Sequence, residues 1–232
     1  MRQTRPLVLA SASPRRRELL ARLGLTFEVE VADLVERRAP GEAPPAYVER
    51  LACEKARAVE ARVAARERND VEARVSAREP NTVVVPNTVV VRRGAQVAYL
   101  GADTTVVLED ELLEKPRDLV DSERMLRALR GREHLVYTAV ALWLAPEARL
   151  ATRVVATRVL FRDLSEVTLR GYVASREGMD KAGAYGIQEL GAALVREVHG
   201  SYTNVVGLPA AETIELLEQE GVLSGWPGGS VP

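Results

Sequence analysis

Four short stretches of this sequence gather side chains able to bind and cleave a phosphate-bearing ligand. The first, Ser11-Ala-Ser-Pro-Arg-Arg-Arg17, offers two hydroxyls and three guanidinium groups directly after the apolar run Leu7 to Ala10. Ser13 suits a helix N-cap and Pro14 the first helical position, so Arg15 and Arg16 belong beside the unpaired N–H groups of a helix start, a natural place for an anion. Guanidinium forks match phosphate oxygens in geometry; read alone, the segment is more simply a capped helix with a solvated basic face. The second stretch is Glu54-Lys55, inside a helical pattern, where a lone Lys reads as part of a solvated face. The third is Gly101-Ala-Asp-Thr-Thr105, followed by Glu114-Lys-Pro-Arg117. An acid in an apolar strand is costly to bury without a cation or hydrogen-bond donors, so Asp103 is either a functional acid or a turn or edge residue. In the fourth, Asp180 to Gln188, two glycines permit close backbone approach to a ligand, although a plain glycine-containing loop explains the same residues.

These stretches need elements to hold them. Pro6 to Ala10 predicts a short buried strand that empties into a helix with Leu19, Leu20 and Leu23 on one face and Gly24 past its end. Phe27 to Val35 alternates as a second strand, and Ala39 to Pro45 is a Pro-rich loop. From Tyr47 a long helical pattern runs through Leu51, Val59 and Val63, and the chain then repeats itself: Val59 to Asn69 returns twelve residues later as Val71 to Asn81. Two copies so short cannot build a solenoid core, so the region from about 62 to 96 is expected to be an inserted helix and loop. Val97 to Leu108 predicts a strand paired through a turn with Leu112-Leu113. A helix over Ser122 to Arg130, strands over Leu135 to Leu144 and Ala151 to Phe161, and a helix from Ser165 to Ala174 follow. A strand over Gly191 to Val198 and a helix opened by Pro209 and ending before Gly221 complete the pattern. The expected class is α/β with a mixed sheet and flanking helices, as a single domain over residues 1–223 with a flexible tail over 224–232.

Composition limits the partners. The formal net charge is -1, so no global positive field exists to hold a nucleic acid, and phosphate binding must come from local basic residues. Cys53 is the only cysteine, which excludes an internal disulfide framework and a thiolate zinc site and leaves it as a small packing residue. His134 and His199 form no HExxH pattern; His134, after a helix stop, is expected at the surface or satisfied. No GxxxxGK[ST] occurs and no GxGxxG follows the first strand. With no 18-residue apolar run and no apolar leader, a cytoplasmic protein with a small anionic ligand is expected.

Together the stretches resemble the Maf family of nucleoside triphosphate pyrophosphatases, from about Leu7 to Gly221. The resemblance rests on Leu-Ala-Ser-Ala-Ser-Pro-Arg-Arg, Leu-Ala-Cys-Glu-Lys-Ala, Leu-Gly-Ala-Asp-Thr, Glu-Lys-Pro-Arg-Asp, Asp-Lys-Ala-Gly-Ala-Tyr-Gly-Ile-Gln and Val-Val-Gly-Leu-Pro, in that order. It implies two lobes around a deep cleft, a homodimer, and hydrolysis of a nucleoside triphosphate to the monophosphate and pyrophosphate. By the same resemblance Asp103 is the proton acceptor, and Arg15, Thr104 and Gln188 bear on substrate choice. Lys55, Lys115 and Lys181 are basic residues of the cleft, and Ser11 and Ser13, with Arg16 beside them, form the phosphate-side loop. Glu36 is one acid of a pair whose other position holds Val35, and with Asp103 it implies a site for Mg²⁺ or Mn²⁺. The Ala-Asp-Thr and Tyr-Gly-Ile-Gln segments resemble those of the dTTP/UTP type rather than of members acting on 7-methyl-GTP, with modified pyrimidine nucleotides as a further class. A nucleotide-binding regulator of cell division or septum formation with little turnover is the alternative.

Overall fold

Strand periodicity and helix starts give an α/β architecture whose sheet is mixed. The computed structural model describes residues 2–76 and 96–225. In chain order the elements are β1 (Arg2–Gln3), β2 (Leu7–Ala10), α1 (Pro14–Arg22), β3 (Glu28–Val29), α2 (Pro44–Ser76), β4 (Val97–Leu108), β5 (Glu111–Leu113) and α3 (Leu119–Leu129). They continue with β6 (Glu133–Ala145), β7 (Arg149–Phe161), α4 (Glu166–Ser175), β8 (Val195–His199), α5 (Tyr202–Val206), α6 (Ala210–Gln219) and β9 (Leu223–Ser224). Two 3-10 turns, Ala182–Ala184 and Leu190–Leu194, lie between α4 and β8. The main sheet runs β3-β2-β4-β6-β7-β8, with β5 also on β4, and β1 pairs with β9 separately. Among the described residues only the β2 pairs with β3 and β4 are parallel; β4, β6, β7 and β8 form an antiparallel run.

The period of two sorts the sheet into its faces. Leu7, Leu9, Ala98, Leu100, Ala102, Val140 and Leu142 pack with Leu20 of α1 and Leu216 and Leu217 of α6. The alternate residues Val8, Ala10, Val97 and Tyr99 meet Ala56 and Val59 of α2, and Ala139 and Ala141 meet Tyr47, Val48, Leu51 and Ala52. A third cluster joins Val106, Val136 and Phe161 to α3, α4 and Tyr185. Helices thus cover both faces.

Several expectations need correction. The second strand is Glu28–Val29 rather than Phe27 to Val35, because its partner β2 ends at Ala10, where the chain turns into α1, and nothing is left to pair with beyond the bond from Glu30 N–H to the Leu9 carbonyl. The helix of the Pro-rich region starts at Pro44, three residues before Tyr47. The helix expected from Ser122 starts at Leu119, since Asp118 accepts the Asp121 N–H as its N-cap. Gly191 to Val198 divides into a 3-10 turn and β8 because the Leu190 and Gly191 N–H groups bond a side chain, not a strand. Sequence periodicity gave no sign of α5, which Ser201 caps by accepting the Asn204 N–H. The first repeat copy continues α2; the rest of the inserted region beyond residue 76, and the tail from residue 226, lie outside the described residues. Among the described residues no helix is long and apolar enough to cross a membrane.

Candidate active site

The site lies at a gap in the edge of β4. On one side of that strand β2 pairs as far as Gly101, and β5 begins pairing only at Val106. Between them Ala102 to Thr105 have no strand neighbour on that edge among the described residues, and the start of α1 stands beside the gap. Arg16 bridges it: Nε donates to the Gly207 carbonyl (2.7 Å), Nη1 to the Ala102 carbonyl (2.9 Å) and Ser11 Oγ (3.2 Å), and Nη2 to Thr104 Oγ1 (3.0 Å). Ser13 occupies the N-cap position of α1 but its hydroxyl makes no capping bond; instead its N–H donates to Ser11 Oγ.

Asp103 is not in a turn: it lies within β4, on the stretch of its edge left open between β2 and β5. It sits in the middle of the 12-residue β4, paired opposite Ala139, and only 6% of it is exposed. Its parity places it on the face covered by α2, from which Lys55 reaches down. Lys55 Nζ lies 2.6 Å from Asp103 Oδ1 and 2.6 Å from Glu36 Oε1. The solvated-face reading of Lys55 is therefore overturned, with 11% of its side chain exposed. Helical periodicity identifies a face but not what lies opposite it. Burial pushes the Asp103 carboxyl above its ordinary range, while the ammonium of Lys55 pulls it back down. Burial also acts to raise Glu36, but the Lys55 hydrogen bond and the charges of Lys55, Lys115 and Arg16 outweigh it and hold Glu36 below the usual value.

Around this pair is a cavity of about 470 Å³. Its wall includes every residue singled out from the sequence: Ser11, Ser13, Arg15, Arg16, Glu36, Lys55, Asp103, Thr104, Lys115, Lys181 and Gln188. Arg15 is engaged by Asp180 across the opening (Nη1 to Oδ2, 3.1 Å), and Asp180 also takes Lys181 Nζ. Residues not foreseen as site groups join them. Tyr47 donates its hydroxyl to Glu114 Oε1 at 3.0 Å, and burial together with that carboxylate raises the phenol, so Tyr47 stays a donor. Glu114 stands beside Lys115 in one of the quoted motifs, which was the only signal for it. The apolar part of the wall is contiguous: Val106, Val136, Tyr185, Ile187 and Val206 belong to one core cluster. His134 is buried, not superficial, and its Nε2 lies 2.8 Å from the Tyr185 hydroxyl. Cys53 packs half-buried against the cluster around Leu51, as a packing residue should.

Residues 6–220 match the sequence profile of the Maf-like proteins. The chain belongs to the Maf family. Relatives in Shigella dysenteriae serotype 1 and Escherichia coli K12, each named dTTP/UTP pyrophosphatase, are 46% identical over 217 residues, covering 94% of this chain and of theirs. A relative of the same name in Shewanella oneidensis is 46% identical over 222 residues, 94% of this chain and 99% of its own. The similarity therefore spans the whole cavity wall and not one motif. The α/β fold with a mixed sheet agrees with the family expected from the motifs.

Proposed function

We propose that this Maf protein is a hydrolase that cleaves dTTP and UTP to the monophosphate and pyrophosphate. The observation that carries the reading is the Lys55–Asp103 pair, held on a buried strand where the sheet edge is open, in one cavity with Arg15, Lys115 and Lys181. The names of relatives at 46% identity support the choice of nucleotide.

A bound triphosphate brings several negative charges, and the basic groups of the wall offset them before any nucleophile can approach phosphorus. The start of α1 adds N–H donors from the other side. The apolar wall of Val106, Val136, Ile187 and Val206 suits a pyrimidine ring, with Thr104 and Gln188 as its polar readers. Asp103 is placed to orient an attacking water and accept its proton: burial makes the carboxylate a better base than an exposed one, and Lys55 favours its charged form. Water oxygen bonds to the α-phosphorus, the bond from that phosphorus to the bridging oxygen breaks, and pyrophosphate leaves with the electron pair.

Asp103 and Glu36 each give one oxygen, Oδ1 and Oε1, to the Lys55 ammonium, and their second oxygens, Oδ2 and Oε2, would be the donors for a cation beside it. Among the described residues no cluster of three or more His, Cys, Asp or Glu is arranged to hold an ion. That donor set fits Mg²⁺ or Mn²⁺, which take oxygen ligands and commonly use one or two carboxylates with phosphate oxygens and water completing the shell. When bound, such a cation supplies further neutralisation of the phosphate charge.

Pyrophosphate release from dTTP, UTP, CTP and 7-methyl-GTP tests the reading. Faster turnover of dTTP and UTP than of the others is expected, with Asp103→Asn, which preserves shape and the Lys55 contact, losing about a thousandfold or more in kcat while nucleotide still binds. Full activity in D103N discards the assigned role, and no turnover of any nucleotide by the wild type discards the function.

A further inference from the structure

Gln188 lies on a loop whose backbone is irregular on both sides, so something must fix it before it can read a base. The fixing group is outside the cavity. Glu177, two residues past the end of α4, accepts three bonds on one carboxylate: Leu190 N–H to Oε2 (2.9 Å), Gly191 N–H to Oε1 (3.0 Å) and the Tyr172 hydroxyl to Oε1 (3.1 Å). The Tyr172 oxygen in turn accepts the Gly186 N–H at 3.1 Å. Both ends of the Gly186–Gly191 segment are thus tied to α4 through two side chains.

Packing leaves little slack in this arrangement. A Cβ added to Gly191 would stand 2.0 Å from the Gly186 carbonyl oxygen and 2.9 Å from the Tyr172 hydroxyl, so the two ends of the segment touch backbone to backbone. One added to Gly178, next to Glu177, would lie 1.9 Å from the Ala184 carbonyl oxygen. The Glu177 carbonyl also accepts Lys181 Nζ, and Ser175 Oγ accepts the Glu177 N–H (3.3 Å) while donating to the Tyr172 carbonyl (2.6 Å). A carboxylate is suited to this place because it offers only acceptors, and all three of its partners here are donors. Charge-assisted bonds to backbone N–H groups are also about twice as strong as neutral ones.

We propose that Glu177 is the positioning residue for base recognition: with Tyr172 it clamps the Gly186–Gly191 segment in the one conformation that presents Gln188 to the nucleobase. This rests on the dTTP/UTP pyrophosphatase function proposed above. The phosphate-side groups Ser11, Arg15, Lys55 and Lys115 are carried by other elements, and Lys181, the remaining basic residue of the wall, bonds the Glu177 backbone carbonyl, which Glu177→Ala and Glu177→Gln retain, so the Glu177 carboxylate governs recognition of the base and leaves the charge-neutralising wall in place.

The test is steady-state pyrophosphate release from dTTP, UTP and CTP by the full chain and by Glu177→Ala, Glu177→Gln and Tyr172→Phe, with inorganic tripolyphosphate as a base-free competitive inhibitor and a melting curve for each protein. For E177A, KM for dTTP and UTP rises about tenfold while kcat stays within about threefold, and the preference for UTP over CTP shrinks by a similar factor. Inhibition by tripolyphosphate is unchanged, which a general loss of structure cannot produce. E177Q keeps one carbonyl acceptor and falls between wild type and E177A. Y172F removes both of its hydroxyl bonds and shows the same KM and selectivity pattern, so it and E177Q carry the test should E177A fail to fold. An active wild type with E177A and Y172F unchanged in KM and in selectivity overturns the clamp, as does tripolyphosphate inhibition weakening in step with KM. A wild type that cleaves neither dTTP nor UTP overturns the function instead.

Discussion

Arg15 and Arg16 are consecutive in sequence yet do different work. Four hydrogen bonds commit Arg16 to the protein itself, linking α1 to the open edge of β4 and to Gly207, whereas Arg15 makes one ion pair, with the exposed Asp180. A triphosphate can displace that single partner; it cannot easily claim a guanidinium with four of its five donors already used. Arg16→Lys should therefore be a stability variant, costing about 2–4 kcal/mol in denaturant unfolding, because an ammonium cannot reach the fork of acceptors and leaves carbonyl and hydroxyl oxygens unpaired. Arg15→Ala should melt as the wild type does but raise KM for dTTP about tenfold, through loss of a charge-assisted phosphate contact. The reverse pattern would exchange the two roles. Nothing in Pro-Arg-Arg-Arg separates these residues beforehand, since helix position fixes direction only after the partner strand is known. Asp103 was legible because an acid breaks an apolar strand; Lys55 was legible only through the family motif, because a lysine breaks no helical pattern.

At the scale of elements the site depends on how closely α2 approaches β4. Gly101 faces that helix, and a Cβ there would sit 2.1 Å from the Ala52 carbonyl oxygen and 3.0 Å from the Ala56 nitrogen. Helix backbone thus rests directly on strand backbone, which sets Lys55, one turn along, over Asp103, two residues along. Gly101→Ala must push α2 away from the sheet and loosen the packing of its fully buried Val48, Leu51 and Val59, at a cost of about 1–3 kcal/mol seen as a lowered melting temperature. Displacement of Lys55 by about 1 Å should also lower kcat/KM about a hundredfold, and measurement of both quantities in one variant checks the coupling. An alanine there that leaves both untouched would show that α2 is free to shift. Long strands with their own periodicity, β4, β6 and β7, could be read from sequence nearly to their ends, and α2 to within three residues of its start. The errors fall where one element depends on another: β3 shortened by the early end of β2, and the expected strand start at Gly191 replaced by a turn bonded to Glu177.

For the whole molecule, one buried group links folding stability to pH. His134 is 3% exposed, where β6 begins, and its ring lies edge-on to Phe161 of β7 and to Tyr185 of the cavity wall, with centroids 5.1 and 5.5 Å away. Burial holds its pKa down at about 4, against an ordinary value of 6.5, so the native state keeps the imidazole neutral where the unfolded chain protonates it. Between these two values the unfolded state binds more protons, and stability rises with pH. The contribution is complete above pH 6.5, is lost progressively as pH falls toward 4, and then levels off. The interval of about 2.5 pH units between the two values amounts to roughly 3 kcal/mol. Urea unfolding at closely spaced pH values should show that slope in the wild type. His134→Gln, which does not titrate and can still bond the Tyr185 hydroxyl, should flatten it over the same window even if its stability at pH 7 is lower. A slope that persists undiminished in H134Q would assign the acid sensitivity to the carboxylates instead.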